Sequence, residues 1–186
     1  VVAAGGTSIM VSIAHVGLSG FLYLRQRSQL PIHAHRNGWG ALTRSPYLGI
    51  DFRAWQKIWR LAGVDQLHVN GIHNKYWEDD DSVVRSIEAL LTPMQGAADR
   101  VLPVAGSGMH AGQVPETYRR TGTVDLMYIC GGGIQGHPLG PKAGVDSISQ
   151  AWEAALSGIS LPEYATEHPE LQAAIDKFGL IEAAGS

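Results

Sequence analysis

Apolar positions along the chain alternate between two textures. Short apolar, β-branched runs occur at Thr7 to Ile13, Leu30 to His35, Asp65 to Val69, Val101 to Ala105 and Leu126 to Cys130, and these predict strands. Between them the spacing changes to three and four residues, as at Leu18, Phe21, Leu22 and Leu24 within Gly17 to Arg27. The clearest such stripe is Phe52, Trp55, Ile58, Trp59 and Ala62, with Asp51 placed to cap its start and Gly63 to stop it. Its two tryptophans read as core packing rather than a ligand platform. Further helices are predicted over Ser82 to Leu91, Val114 to Arg120, from Ala143 through Leu156, and from about Pro169 to Phe178. Ala183 to Ser186 reads as a frayed end.

Strand and helix thus alternate five times, with strands about 25 to 35 residues apart, which argues for a parallel sheet with helices outside it. Each polar or glycine-rich cluster follows a strand, the place where open parallel sheets and eight-stranded barrels alike keep their sites. Five units are too few to close a (β/α)8 barrel of about 250 residues. The pattern therefore predicts either an open sheet or the later part of a longer protein, with no internal domain boundary over 1–186.

Composition narrows the function classes. At 45% hydrophobic and 17% charged the chain can bury one sizeable core. A net charge of -3 with no basic run lacks the footprint of a nucleic-acid binder, so anionic ligands must be met by local groups. No run approaches the roughly 18 apolar residues of a membrane span, so no membrane partner is expected. Cys130 stands alone, which excludes an internal disulfide and suits a cytoplasmic protein.

Candidate chemistry gathers at the strand ends. In Leu30-Pro31-Ile32-His33-Ala34-His35-Arg36 the two histidines share one strand face and a permanent charge follows them. His68 ends the next strand, Lys75 lies in the polar loop after it, and glycines close the following two at Gly106-Ser107-Gly108 and Gly131-Gly132-Gly133. Such glycines let a backbone approach an anion and present amides to it. The acidic run Glu78-Asp79-Asp80-Asp81 reads as a helix N-terminal turn rather than a metal site. His33-x-His35 also admits a zinc pair in a barrel hydrolase.

Taken together, the histidine strand, Asp65-Gln66-Leu67-His68 with Lys75 seven residues on, Val101 to His110, and Gly131-Gly132-Gly133-Ile134-Gln135-Gly136-His137-Pro138 resemble the ribulose-bisphosphate carboxylase large-subunit family. The resemblance is to its RuBisCO-like, form IV branch and runs from about Thr7 to Phe178. It implies an α/β fold comprising strands four to eight of a (β/α)8 TIM barrel, the small N-terminal domain and first three barrel strands being absent. It also implies Mg2+, held by a carbamylated lysine, an aspartate and a glutamate outside this sequence, so no metal ligand is assigned within it. By the same resemblance His35 moves protons, Arg36 and His68 grip one phosphate end of the sugar, and Lys75 rides a mobile loop that closes over substrate. Gly108, Gly131 and Gly132, with Ser107 beside them, would take the other phosphate. A homodimer or larger assembly with shared active sites is implied.

Departures from the carboxylase pattern shift the expected reaction. Trp39 replaces a further histidine, Val69 a serine, and Ser107 is displaced by one residue from a serine that Gly106 replaces. These losses point away from carboxylation of ribulose bisphosphate. They leave an enzyme that enolises a phosphorylated keto sugar as an isomerase, enolase, or decarboxylase or transcarboxylase. A non-catalytic sugar-phosphate-binding member is the other alternative beside the hydrolase.

Overall fold

The computed structural model describes residues 1–94 and 99–181. The end at Ala183 to Ser186 lies outside the described residues. Strands β1 (Ile9–Ser12), β2 (Ile32–His35), β3 (Gln66–Asn70), β4 (Leu102–Gly106) and β5 (Met127–Tyr128) neighbour one another in chain order. β1 and β2 run parallel with Ile9 opposite Ile32 and Ser12 opposite His35, and β2 and β3 run parallel with His33 opposite Gln66. Parallel neighbours cannot be joined by a tight hairpin, so each strand is followed by a helical crossover.

Those crossovers carry α1 (Ile13–Arg25), α2 (Gly40–Thr43), α3 (Phe52–Ala62), α4 (Asp80–Leu91), α5 (Val114–Thr121), α6 (Gly131–Gln135), α7 (Gly140–Ser157), α8 (Leu161–Ala165) and α9 (Pro169–Phe178). The α/β alternation is as the pattern predicts, with local differences. α1 begins directly at the end of β1 and is interrupted by Gly17, whose φ of 71° and ψ of 167° no helix contains. α2, α6 and α8 form where the apolar pattern predicts no helix, each in five residues or fewer, too short for an apolar periodicity to register.

By its internal contacts the chain divides into two compact units, Val1–Val69 with Arg85–Val104 and Asp125–Met127, and Asn70–Val84 with Ala105–Val124 and Tyr128–Ser186. In the first, Ile32, Ala34, Leu67 and Val69 are fully buried strand residues. Phe21 of α1 meets Trp59 of α3 edge-on at 5.5 Å, and Trp59 meets Trp55 at 5.7 Å, so the tryptophans are core. Asp51 caps α3 by accepting from the N–H groups of Arg53 and Ala54, and Gly63 closes it at φ 96°. Arg60, also on α3, points into the protein. Its guanidinium donates to the carbonyls of Ala89, Thr92 and Asp99 and to the Asp99 carboxylate, satisfying carbonyls at the end of α4 that lack helical partners.

The second unit is packed by small residues. Ala151 and Ala154 of α7, Ala165 of α8, and Leu171 and Ala174 of α9 form one buried cluster with Val114. Cys130 is buried, and burial pushes its thiol up to about 11. No helix of the described residues is long and apolar enough to cross a membrane.

Candidate active site

In the first unit the alternation of β2 turns Ile32 and Ala34 to one face and His33 and His35 to the other. The His35 ring lies 4.9 Å from the ring of His68 on β3, and the His33 ring 6.0 Å from it. Three imidazoles close together in a buried place disfavour protonation. Desolvation, then the neighbouring His35, Arg36 and His33, push His68 down to about 3 against one favourable backbone hydrogen bond at Val69. His68 is therefore neutral near pH 7 and can meet an anion only as a single N–H donor.

His33 is also lowered, mainly by burial, with a hydrogen bond to Gln66 opposing. Its Nδ1 faces Gln66 Oε1 at 3.1 Å, and since a carbonyl oxygen only accepts, the proton sits on Nδ1. Nε2 is then a bare acceptor, buried and without a hydrogen-bond partner among the described residues. At His35 the backbone N–H of Asn37 approaches Nδ1 at 3.1 Å and the Asn37 side-chain oxygen lies 3.0 Å from the same nitrogen, so Asn37 holds the ring from that side.

Arg36 supplies the charge of this group. It is only 2% exposed, and its guanidinium carbon lies 3.9 Å from the centre of the Trp39 ring and 4.3 Å from that of Phe52. The two rings are 5.5 Å apart and tilted by 59°, so they form a corner for the guanidinium. Trp39, which in the sequence reads only as a lost base, thus holds the cation by its ring face.

In the second unit the loop after β3 lies against the turn after β4. Gly71 N–H donates to Gly106 O at 2.7 Å and Lys75 N–H to Ser107 O at 3.1 Å. The aliphatic stem of Lys75 passes over Gly108, where an added Cβ would meet its carbons at 3.5 to 3.7 Å. Gly108 has φ 95° and Ser107 φ 81°, a left-handed value that a non-glycine residue rarely takes. The Ser107 hydroxyl donates to Asn70 Oδ1 at 3.0 Å. After β5, Gly133 needs to be glycine, because a Cβ would lie 2.8 Å from Met109 O. Gly131 and Gly132 have no such need. Neither has a positive φ, both are exposed, and a Cβ at either would meet open space.

The acidic run divides by role. Asp80 and Asp81 stand in the first turn of α4 and pair with Arg120, and Asp79 accepts from Ser82 N–H, as a macrodipole-complementing turn does. Glu78 is instead buried and accepts from Asn70 and Ser82. No group of three or more histidines, cysteines or carboxylates among the described residues is placed to hold a metal ion. The Mg2+ that the resemblance implies would be held by ligands outside this sequence, so these residues do not bear on it. The His33-x-His35 zinc reading gains no third ligand among them.

The first unit brings together His35, Arg36 and His68, and the second Lys75, Ser107 and Gly108. Residues the sequence does not single out are His33 as a bare acceptor, Trp39 and Phe52 as the guanidinium corner, and Asn70 and Glu78 under the Lys75 loop. For Asn70 the asparagines at 70 and 74 ahead of Lys75 are the sequence signal.

Residues 1–178 match the family described as ribulose bisphosphate carboxylase large chain, catalytic domain. Over 179 residues the chain is 58% identical to the 3-oxo-isoapionate-4-phosphate decarboxylase of Rhizobium etli, covering 96% of this chain and 43% of that protein. Over 176 residues it is 48% identical to the 3-oxo-isoapionate-4-phosphate transcarboxylase/hydrolase of Xanthobacter autotrophicus, covering 94% and 42%. The crystal structure of a rubisco-like protein from Burkholderia fungorum superposes with a TM-score of 0.90 at 44% identity, covering 95% of this chain and 44% of that one. The chain spans less than half the length of these relatives. Its α/β sheet is the C-terminal portion, strands four to eight, of a TIM barrel.

Proposed function

This chain belongs to the ribulose bisphosphate carboxylase large-chain family, in its RuBisCO-like branch, and from that premise we propose that the complete protein is a decarboxylase or transcarboxylase of a phosphorylated keto sugar acid. Residues 1–186 would be the C-terminal portion of its barrel, with the N-terminal domain and first barrel strands in the part of the relatives that the chain does not span. The observation that carries the sugar-phosphate reading is the pair Gly131 and Gly132, glycines that neither backbone conformation nor crowding requires. Close approach of a ligand to their amides supplies the missing reason. The choice of decarboxylation over isomerisation follows the names of the relatives at 58% and 48% identity.

In this reading Arg36 binds one anionic end of the substrate bidentately, with its charge fixed at any working pH. His68, neutral, adds one N–H. The amides at Gly108, Gly131 and Gly132 take the phosphate. When the carbon–carbon bond to the carboxylate breaks, its electron pair enters the adjacent ketone to give an enolate. Lys75 meets the negative charge at that end, and His35 delivers a proton to carbon or oxygen. Mg2+ is expected in the complete protein on ligands outside this sequence, and no step above depends on it. A cytoplasmic homodimer or larger assembly completes the proposal.

The test is an assay of the complete protein, with magnesium and bicarbonate, against ketose phosphates and 3-oxo sugar-acid phosphates. Release of CO2 from 3-oxo-isoapionate 4-phosphate supports the reading. Fixation of CO2 on ribulose bisphosphate at rates typical of true carboxylases overturns it.

A further inference from the structure

We infer that Ser107, Asn70 and Glu78 form a buried clasp that presets the Lys75 loop, which makes them positioning residues for the lysine. The inference rests on the substrate-facing role proposed for Lys75, and its first observation is backbone strain. Ser107 holds φ 81° between two glycines, Gly106 and Gly108, in a conformation that favours glycine over serine. A locally disfavoured residue needs a compensating contact, and the hydroxyl provides one by donating to Asn70 Oδ1 at 3.0 Å.

The contact does not end there. Asn70, 1% exposed, donates its amide to Glu78 Oε2 at 2.7 Å, and Glu78 Oε1 accepts from Ser82 Oγ at 2.9 Å. Asn70 and Glu78 are the two ends of the loop, so this bond closes its base. Asn74 Nδ2 donates to Glu78 O at 3.1 Å within it. From the other side the buried Gln113 amide donates to the carbonyls of Ile72 and His73 at 3.2 and 3.0 Å. Ser107 then joins this closed base to the lysine itself, since its carbonyl accepts Lys75 N–H at 3.1 Å. The backbone of Lys75 and its stem over Gly108 are thereby set by the same residue. These bonds fix the ends of the loop and the backbone at Lys75, so the lysine is carried from a defined anchor when the loop closes.

The closing experiment uses the complete protein. Ser107→Gly deletes the hydroxyl while relieving the φ of 81°, so the fold is preserved while the bond to Asn70 is cut. Hydrogen exchange of the amides from Gly71 to Trp77 should then rise about five- to tenfold, the effect of one net hydrogen bond. The kcat for CO2 release from 3-oxo-isoapionate 4-phosphate should fall about tenfold, with KM changed less. Glu78→Ala should reproduce both effects, and Glu78→Gln, which still offers a carbonyl oxygen to Asn70, should restore most of the protection. Unchanged exchange, or faster exchange with unchanged kcat, overturns the positioning role. A rise confined to KM would instead make Ser107 a phosphate ligand and also overturn it. Lys75→Met separates the two levels, because full turnover in that variant sinks the role proposed for the lysine while the exchange data still report on the clasp.

Discussion

Gly131 and Gly132 separate two demands that glycine often serves together. Because a Cβ at Gly131 meets nothing and its φ is not positive, Gly131→Ala should leave the thermal midpoint unchanged or raise it, alanine being the better helix residue. If the amide faces a phosphate, the same methyl should weaken a phosphorylated substrate at least about tenfold, the scale of a lost hydrogen bond to a charged group. A neutral sugar analogue should be unaffected, and equal weakening of both would deny the phosphate site. Arg36 makes a parallel case. Trp39→His, which removes one wall of its aromatic corner, should weaken inorganic phosphate binding about fivefold, and Trp39→Phe should recover part of it. Titration of stability with acid tests His68. A histidine held at about 3 when folded, against 6.5 when unfolded, contributes fully above pH 6.5 and loses that contribution as pH falls toward 3. Denaturant midpoints measured across that window should fall with acid, and less steeply in His68→Gln. At this scale the motifs mark His35, Arg36, His68 and Lys75 as candidates, and the first three lie together in the first unit. The corner at Trp39 was not legible in the sequence, because its other wall, Phe52, belongs to a separate helix, and the strain at Ser107 has no sequence signal of its own.

Among the elements, α3 was the most legible and also the most connected. Its cap, its stop and its aromatic stripe all follow from residue types, yet Arg60, on the same helix, would pass in the sequence for a solvated charge. Its four donors satisfy carbonyls near the end of α4 and the Asp99 carboxylate. Arg60→Leu should therefore destabilise the fold by about 3 kcal/mol, far more than an exposed charge would, as read from denaturant unfolding. The short elements were missed for different reasons. α6 is made largely of glycine, which predicts turns. α8 carried a readable start, since Ser160 accepts from Glu163 N–H, the spacing of an N-cap, but it ends within five residues and offers no periodicity.

For the molecule as a whole, the order of strands was available from the alternation of textures, and the choice between open sheet and barrel was not. Closure depends on strands that the chain, spanning less than half of its relatives, does not include. The complete protein should run as a dimer or larger in light scattering, and a monomer active at full rate would contradict the shared site.

Cys130 has a practical consequence for such tests. It is the one sulfhydryl in these 186 residues, and burial holds it in the unreactive protonated form near neutral pH. A cysteine installed in place of Tyr76, 54% exposed and next to Lys75, would within this chain take up a maleimide dye almost alone. These 186 residues thus offer a silent background against which fluorescence from that loop can be followed directly.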